Sequence, residues 1–299
     1  MVPSDQPSIS VRGLTKFYGK RLGVEDVSFD VHPGQIMGFL GPNGSGKTTV
    51  MRLLMGLLKI TRGDGLVLGH DIADPSGLAR REVGYLPGTL ALYENLTVEA
   101  YLRLLADLRT TDCTTSIGEI SERLQLPLSA PIKSLSKGNK QKVGVVQALM
   151  HHPKVLVLDE PTAGLDPIVQ RVFEDLVREQ CERGVAVLLS SHVMSEVEQL
   201  ASDVVILDHG RLVLQDRLDR LKNRIERRIR FDFAEHVDRL PFESCAGVTK
   251  VEADGRSIVC TVVGPESSVL GCAVKAGVIT VQTFEPSLDE IFLAVTARN

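Results

Sequence analysis

Apolar and polar residues alternate with different periods along this chain, and the changes of period predict its strands and helices. Residues 9–11 and 24–31 favour strands and flank a turn at Tyr18-Gly19-Lys20, which suits an antiparallel β element. Continuous apolar runs at 155–158 and 185–189 are typical of strands buried on both faces of a parallel sheet. Helical spacing dominates residues 97–150 and returns at 168–181. We therefore expect a parallel α/β core over about the first 220 residues, with a helical insertion at about 86–150.

A different pattern begins near residue 217. Strand-like stretches at 229–233, 248–252, 257–263 and 278–283 are interspersed with helical patterns at 266–275 and 287–295. This succession predicts a small α+β domain, for which a ferredoxin-like arrangement is one form. We place the domain boundary between residues 222 and 223, which gives domains 1–222 and 223–299.

A glycine-rich segment between an apolar run at 31–40 and a helical pattern at 50–58 matches the phosphate-binding motif G-x-x-x-x-G-K-[ST] at each fixed position. Its glycines let the chain wrap closely around phosphate oxygens, and the amides of the following helix start attract anions. Lys47 can add a full charge at the β- and γ-phosphates, and the Thr48 hydroxyl can ligate Mg²⁺. The alternative is a glycine-rich turn with a solvated lysine. We interpret the segment as a nucleoside triphosphate site, with these candidate binding residues: Gly41, Pro42, Asn43, Gly44, Ser45, Gly46, Lys47, Thr48 and Thr49.

Two adjacent carboxylates end the apolar run at 155–158. Ligands of parallel α/β sheets gather at the carboxyl ends of the strands, which would place Asp159 and Glu160 beside the phosphate loop. Asp159 can hold Mg²⁺ directly or through water, and Glu160 can polarise the attacking water. The alternative is an acidic helix cap after a core strand.

Composition and charge narrow the class of protein. The chain has 299 residues, is 43% apolar and carries a net charge of −4, which supports a folded core and argues against nucleic acid as a main partner. Its five cysteines have neither metal-site nor disulfide spacing, so free thiols in a reducing compartment are expected. We find no secretory signal and no run of about 20 apolar residues that could span a bilayer. These features predict a cytosolic protein, or one peripheral to a membrane on its cytosolic side.

The segment 135–142, Leu-Ser-Lys-Gly-Asn-Lys-Gln-Lys, resembles the LSGGQ signature of ATP-binding-cassette (ABC) transporter ATPases, in a variant seen in exporter subunits. The other motifs of that family follow in order. Tyr18 resembles the residue that stacks on adenine. Residues 163–166 resemble the family's loop that follows the catalytic glutamate, which makes Asp166 a further candidate binding residue. Residues 190–192 resemble the switch motif with His192. The resemblance implies a P-loop NTPase fold of the α/β class, in which an ABC ATPase core has an antiparallel β subdomain and a helical subdomain. It also implies ATP and Mg²⁺ as ligands.

In that family two cassettes close head-to-tail around two ATP molecules. The resemblance implies that Lys47, Thr48, Asp159, Glu160 and His192 act from one protomer, whereas Ser136 and Gly138 contact the γ-phosphate held by the other. It also implies a separate integral-membrane permease as partner, a position on the cytoplasmic face of the membrane, and either a homodimer or a heterodimer of ATPase subunits. The alternatives are a soluble cassette acting on nucleic acid or ribosomes, and the ATPase of an import system.

Two features further refine the resemblance. Where the family commonly has Gln, this chain has Gly88, which offers no side-chain oxygen to Mg²⁺ or water, so we expect water to complete the metal shell. The ending at 284–292 resembles that of daunorubicin-resistance-type exporter ATPases and also reads as a capped amphipathic helix.

A basic run at 217–230 is interpreted as a solvated helix face, with contact to anionic lipid as the alternative. Its basic residues are Arg217, Arg220, Lys222, Arg224, Arg227, Arg228 and Arg230.

Overall fold

The computed structural model describes residues 6–224 and 226–284, and the chain divides into two compact units, 1–215 and 216–299. The strands of the first unit, the last of which runs into the second, are β1 (Ile9–Tyr18), β2 (Arg21–Val31), β3 (Ile36–Leu40), β4 (Arg62–Val67), β5 (His70–Asp71), β6 (Val83–Leu86), β7 (Val155–Asp159), β8 (Ala186–Ser190), β9 (Asp203–Asp208) and β10 (Arg211–Arg217). The helices of the first unit are α1 (Lys47–Leu54), α2 (Leu78–Arg81), α3 (Val98–Arg109), α4 (Thr114–Arg123), α5 (Lys137–Leu149), α6 (Pro167–Glu182) and α7 (Met194–Leu200).

The central sheet of the first unit has the strand order β10-β9-β3-β8-β7-β6. Its pairs β9–β3, β3–β8, β8–β7 and β7–β6 are parallel. Every residue of β3, β7 and β8 is buried, because helices and the second sheet cover both faces. The parallel sheet and both strands predicted from continuous apolar runs are therefore confirmed.

An antiparallel sheet of order β2-β1-β4-β5 packs in the same core as α1 and the parallel sheet. Phe29 of β2 and Phe39 of β3 lie with ring centroids 5.2 Å apart at the centre of this core. Between β6 and β7 the chain forms α3, α4 and α5, in the region where the helical pattern predicts an insertion. The predicted α/β class, with its antiparallel and helical parts, is confirmed.

The second unit begins in β10 and continues through α8 (Leu218–Arg224), β11 (Arg227–Phe233), α9 (Leu240–Glu243), β12 (Val248–Asp254), β13 (Ser257–Val262), α10 (Ser267–Lys275) and β14 (Val278–Phe284). The last four strands form an antiparallel sheet of order β12-β13-β11-β14, which is the βαββαβ order of ferredoxin-like domains. Phe231 and Phe242 are buried at its core. The predicted domain boundary at 222/223 falls inside α8, and that division stays a prediction. The exporter-like ending, from residue 285 on, and the helical pattern at 287–295 lie outside the described residues.

Two further expectations concern the whole chain. All five cysteines are free thiols. Within residues 6–224 and 226–284, no helix combines the length and apolar character that crossing a membrane requires.

Candidate nucleotide-binding site

The phosphate loop joins the end of β3 to the start of α1, and its glycines are required by its shape. Gly41 and Gly46 have φ values of 147° and 109°, which side chains rarely allow. A Cβ at Gly41 would lie 2.2 Å from the Leu207 carbonyl oxygen, and one at Gly46 would lie 2.4 Å from Val24 Cγ1. Gly46 is also the N-cap of α1 and supplies no capping side chain. The first amides of α1 are therefore left for another acceptor.

Lys47 is held inside the loop rather than in solvent. It is 6% exposed, and its Nζ donates to the carbonyl oxygens of Gly41 at 2.6 Å and Pro42 at 3.3 Å. Burial lowers the pKa of Lys47, while the nearby carboxylates of Glu160 and Asp159 act to raise it. The turn with a solvated lysine, the alternative interpretation of this segment, is therefore wrong.

A pocket of about 610 Å³ opens over the loop. Its lining residues are Tyr18, Arg21, Leu22, Gly23, Asn43, Gly44, Ser45, Gly46, Lys47, Thr48, Thr49, Arg52 and Glu160. Tyr18 is 45% exposed, and its hydroxyl lies 3.4 Å from Thr49 Oγ1. Among the residues that the structure describes, the buried Ser45 Oγ finds no hydrogen-bond partner. The pocket thus offers one ligand the exposed ring of Tyr18 and the amides at the start of α1, which have no side-chain cap.

Arg21 and Arg52 also belong to this pocket, although no sequence motif indicates them. Arg21 begins β2, far from the loop in sequence, and Arg52 lies more than one turn into α1. In the sequence each resembles an ordinary exposed arginine, and only the fold brings it beside the phosphate loop. Both add positive charge to a site that favours anions.

Asp159 ends β7 and is 1% exposed. Thr48 Oγ1 donates to its Oδ2 at 2.8 Å, and Ser190 Oγ donates to its Oδ1 at 2.7 Å. A hydroxyl and a carboxylate that meet at the mouth of a phosphate loop form an oxygen donor set that suits Mg²⁺. The structure brings together the two predicted metal ligands, and it adds Ser190 as a residue that orients Asp159.

Glu160 and His192 meet at the same sheet edge. Glu160 Oε2 lies 2.5 Å from His192 Nδ1, and the Glu160 amide donates to Ser190 Oγ at 3.1 Å. Glu160 has a φ of 51°, a strained conformation for a residue with a side chain, and such strain is found at functional sites. The His192 side chain is 55% exposed and so remains open to an approaching ligand.

Gly88 lies beside the same carboxylate. A Cβ at this position would be 3.1 Å from Asp159 Oδ2, which is tighter than ordinary van der Waals contact. The chain after β6 therefore passes close to the proposed metal ligand without placing a side chain there.

Three predicted binding residues lie outside the phosphate loop and do not line this pocket. Ser136 is the N-cap of α5, and its hydroxyl accepts from the Asn139 amide at 3.3 Å. Gly138 lies beside the loop before α6, since a Cβ there would be 2.7 Å from the Gly164 carbonyl oxygen. Asp166 caps α6 by accepting from the amides of Ile168 and Val169. Within one chain, these residues are separated from the phosphate loop pocket.

A parallel sheet with a phosphate loop after β3, an acidic pair after β7 and a histidine after β8 defines a P-loop nucleoside triphosphatase. The family model described as ABC transporter matches residues 24–163. The chain is 32% identical to the bacitracin transport ATP-binding protein BcrA of Bacillus licheniformis over 95% of its own length and 96% of that protein. It is 31% identical to the Nod factor export ATP-binding protein I of Rhizobium sp. (strain N33), with 97% of each chain covered.

A solved structure described as an ATP-binding subunit of an ABC transporter aligns with a TM-score of 0.67 and 33% identity, covering 72% of this chain and 91% of that one. The chain therefore belongs to the ABC transporter family of ATP-binding proteins. It is an ATPase cassette of that family, as the resemblance predicts.

Proposed function

We propose that this chain is the ATP-binding and ATP-hydrolysing subunit of an export system, and that it energises a separate membrane permease by closing head-to-tail on a second cassette. One observation carries the proposal. The pocket holds the phosphate loop and Glu160, with His192 against that glutamate, whereas Ser136 and Gly138 lie outside it. A nucleotide in this pocket is contacted by one half of the family's motifs, so a second protomer must supply the other half.

The binding step follows from the loop. The amides at the start of α1 would receive phosphate oxygens, and Lys47 would exchange its carbonyl acceptors for the β- and γ-phosphates. Tyr18 presents an exposed ring at the pocket wall, where adenine can stack.

Thr48 and Asp159 would hold Mg²⁺, because their oxygens already lie within 2.8 Å of each other. When bound, the ion would neutralise charge on the phosphate oxygens. Ser190 keeps Asp159 oriented toward Thr48 by donating to its other oxygen.

For hydrolysis, Glu160 would orient and polarise the attacking water. His192 contacts Glu160 directly and reaches into the open side of the site, so it can contact the γ-phosphate and steady that water. The strained φ of Glu160 occurs at a residue that lines the pocket, where its carboxylate can reach a bound nucleotide.

The partner cassette is proposed to be a second copy of this chain, since the motifs of both halves are present in it. Ser136 and the start of α5 are exposed, so they are free to face the phosphate loop of another protomer. Closure would then depend on ATP, because the γ-phosphate is the group that both halves contact.

Export and a permease partner on the cytoplasmic face of the membrane are supported by the named relatives, which are described as transport and export ATP-binding proteins. Net charge of −4 disfavours the alternative of a nucleic-acid-directed cassette. The partnership is tested by purifying the tagged chain from membranes with any bound integral-membrane protein and reconstituting both in liposomes. ATPase activity that depends on the membrane protein supports the proposal. A chain that purifies without any membrane protein and is fully active alone argues for a soluble role.

The catalytic assignment is tested by Glu160→Gln, which keeps the size of the side chain and removes its basicity. We expect turnover to fall by at least about a hundredfold while ATP binding persists, so that ATP traps a dimer visible by light scattering. Glu182→Gln, at the far end of α6, is the control and should hydrolyse ATP like the unaltered chain. Wild-type turnover in Glu160→Gln would show that the catalytic residue is assigned wrongly.

A further inference from the structure

Glu196 on α7 accepts two short hydrogen bonds that link separate loops of the site. Its Oε2 accepts from Thr162 Oγ1 at 2.6 Å and from Ser191 Oγ at 2.8 Å. Both hydroxyl groups belong to buried residues, 6% and 1% exposed. Hydrogen bonds of this length to a carboxylate are among the stronger ones in proteins.

The two donors stand next to the proposed catalytic pair. Thr162 follows Glu160 by two residues, and Ser191 immediately precedes His192. Ser191 Oγ also accepts from the Val193 amide at 2.9 Å, so its own proton is directed to Glu196. The Glu196 carboxylate therefore links the loop that follows Glu160 to the loop that carries His192.

The loop after Glu160 is also held from the opposite side. Gln141 of α5 is 8% exposed, and its Nε2 donates to the carbonyl oxygens of Pro161 at 2.8 Å and Glu160 at 3.3 Å. Because Glu160 has a strained φ of 51°, its backbone needs such support to keep this conformation. Gln141 anchors the backbone of this loop to α5, and Glu196 anchors it to the loop that carries His192.

We propose that Glu196 is a positioning residue that sets the distance between Glu160 and His192. It does not line the nucleotide pocket. The proposal rests on the roles proposed above for Glu160 and His192. It implies that Glu196 affects the chemical step and leaves ATP binding almost unchanged, because a residue that orients catalytic groups changes kcat rather than affinity.

Truncation at Glu196 would leave two buried hydroxyls without their acceptor and release both loops. We expect Glu196→Ala to lower kcat about tenfold while KM for ATP stays within about twofold. Glu196→Gln keeps an oxygen that can accept both bonds, so it should recover most of the lost turnover. Ser195→Ala, an exposed neighbour on the same helix, is the matched control and should match wild type.

A second pair of variants tests the same link without altering α7. Thr162→Val keeps the shape of the side chain and removes the hydroxyl, whereas Thr162→Ser keeps the hydroxyl. We expect the valine variant to lose turnover and the serine variant to retain it. Thermal melting of each variant identifies any that fail to fold, and the conclusion is drawn from the folded members of both series.

The decisive comparison is a double-mutant cycle with His192→Ala. If Glu196 acts by placing His192 against Glu160, then Glu196→Ala should cost less than about twofold once His192 is gone. Independent, multiplying effects would overturn the proposal, as would a rise in KM with unchanged kcat. The Glu160→Gln variant distinguishes a failure of the proposed function from a failure of this inference. Wild-type turnover in that variant contradicts the proposed function, whereas an inactive Glu160→Gln beside a fully active Glu196→Ala contradicts only this inference.

Discussion

The helix starts of α1 and α5 carry the two sequence motifs that the family uses against phosphate, yet they differ in how their amides are satisfied. At α1 the N-cap is Gly46, which has no side chain to offer, so the first amides stay free within a closed loop. At α5 the N-cap is Ser136, whose hydroxyl already accepts from the Asn139 amide. The first start is built to receive an anion, whereas the second already has one of its amides capped by its own side chain.

The two helices also differ in how deeply their first residues are buried. Val50 and Met51 of α1 are fully buried in the core, which fixes the phosphate loop in place. Ser136 and Lys137 at the start of α5 are exposed. The comparison supports the proposal that α1 makes the permanent half of the site, whereas α5 offers a surface that would be engaged when a second protomer approaches.

The substitution with the largest expected effect tests the α1 half of the site, which consists of the phosphate loop and the start of α1. Lys47→Ala removes the buried ammonium that bonds to Gly41 and Pro42, and with it the full positive charge of the loop. We expect ATP hydrolysis to fall at least about a hundredfold and ATP affinity to fall with it. Equilibrium binding of a fluorescent ATP analogue and a phosphate-release assay measure both. Lys20→Ala, in an exposed turn, should change neither.

Gly46→Ala should produce the next largest effect, now on stability as well as binding. The added Cβ would overlap Val24 Cγ1 and force alanine into a φ of 109°. We expect the free energy of unfolding to fall by about 2–3 kcal/mol, measured by urea unfolding without nucleotide. Gly44→Ala is the matched control, because it has positive φ but nothing within 4 Å of its Cβ, so its loss should be smaller. Equal losses would show that contact with Val24 is unimportant.

Ser136→Ala tests the α5 half and should separate binding from turnover. Losing the cap should cost about 1 kcal/mol of stability. If α5 completes a second protomer's site, hydrolysis should fall about tenfold while ATP binding to the monomer is unchanged. Thr97→Ala removes the equivalent cap of α3, where Thr97 accepts from the Ala100 amide at 3.2 Å, and it should cost stability without affecting hydrolysis. Matching hydrolysis losses in both variants would mean that the effect is structural.

The smallest expected effect lies at Gly88, beside the α1 half. Glutamine there would bring a Cβ within 3.1 Å of Asp159 Oδ2 and add an amide oxygen near the metal ligands. We expect Gly88→Gln to change Mg²⁺ affinity by about threefold in an ATP-binding titration, with turnover retained, because Mg²⁺ commonly keeps several waters in its shell and does not depend on one side-chain oxygen. If neither the Mg²⁺ affinity nor the turnover changes, the residue at position 88 is unimportant for this site.

The sequence predicts those parts of the molecule whose chemistry is local. The phosphate loop, the buried strands β7 and β8 and the acidic pair after β7 each depend on neighbouring residues, so their patterns are readable directly. The parallel register then aligns Asp159 with Ser190, which no local pattern reveals.

Residues that join the site from distant elements could not be predicted. Arg21 and Arg52 enter the pocket through the packing of β2 and α1, and Glu196 meets Thr162 only because the fold brings the start of α7 beside the loop that follows β7. Their side chains resemble ordinary surface charges in the sequence. Asp166, whose motif suggests nucleotide contact, caps α6 in this chain, and its contact with nucleotide stays a prediction.

The central claim, that each site is built from the α1 half of one copy and the α5 half of another, is tested most directly by mixing two inactive variants. Lys47→Ala disables the α1 half, and Ser136→Asp keeps a capping oxygen at α5 but sets a negative charge against the γ-phosphate. In an equal mixture half of the dimers hold one intact site, so about a quarter of wild-type hydrolysis should return.

Lys47→Ala mixed with Glu160→Gln is the control, because both changes lie in the same half and leave no site intact. Recovered hydrolysis in the first mixture and none in the second is the result that the account predicts. No recovery in either mixture, from variants shown to be folded and to associate, would contradict it.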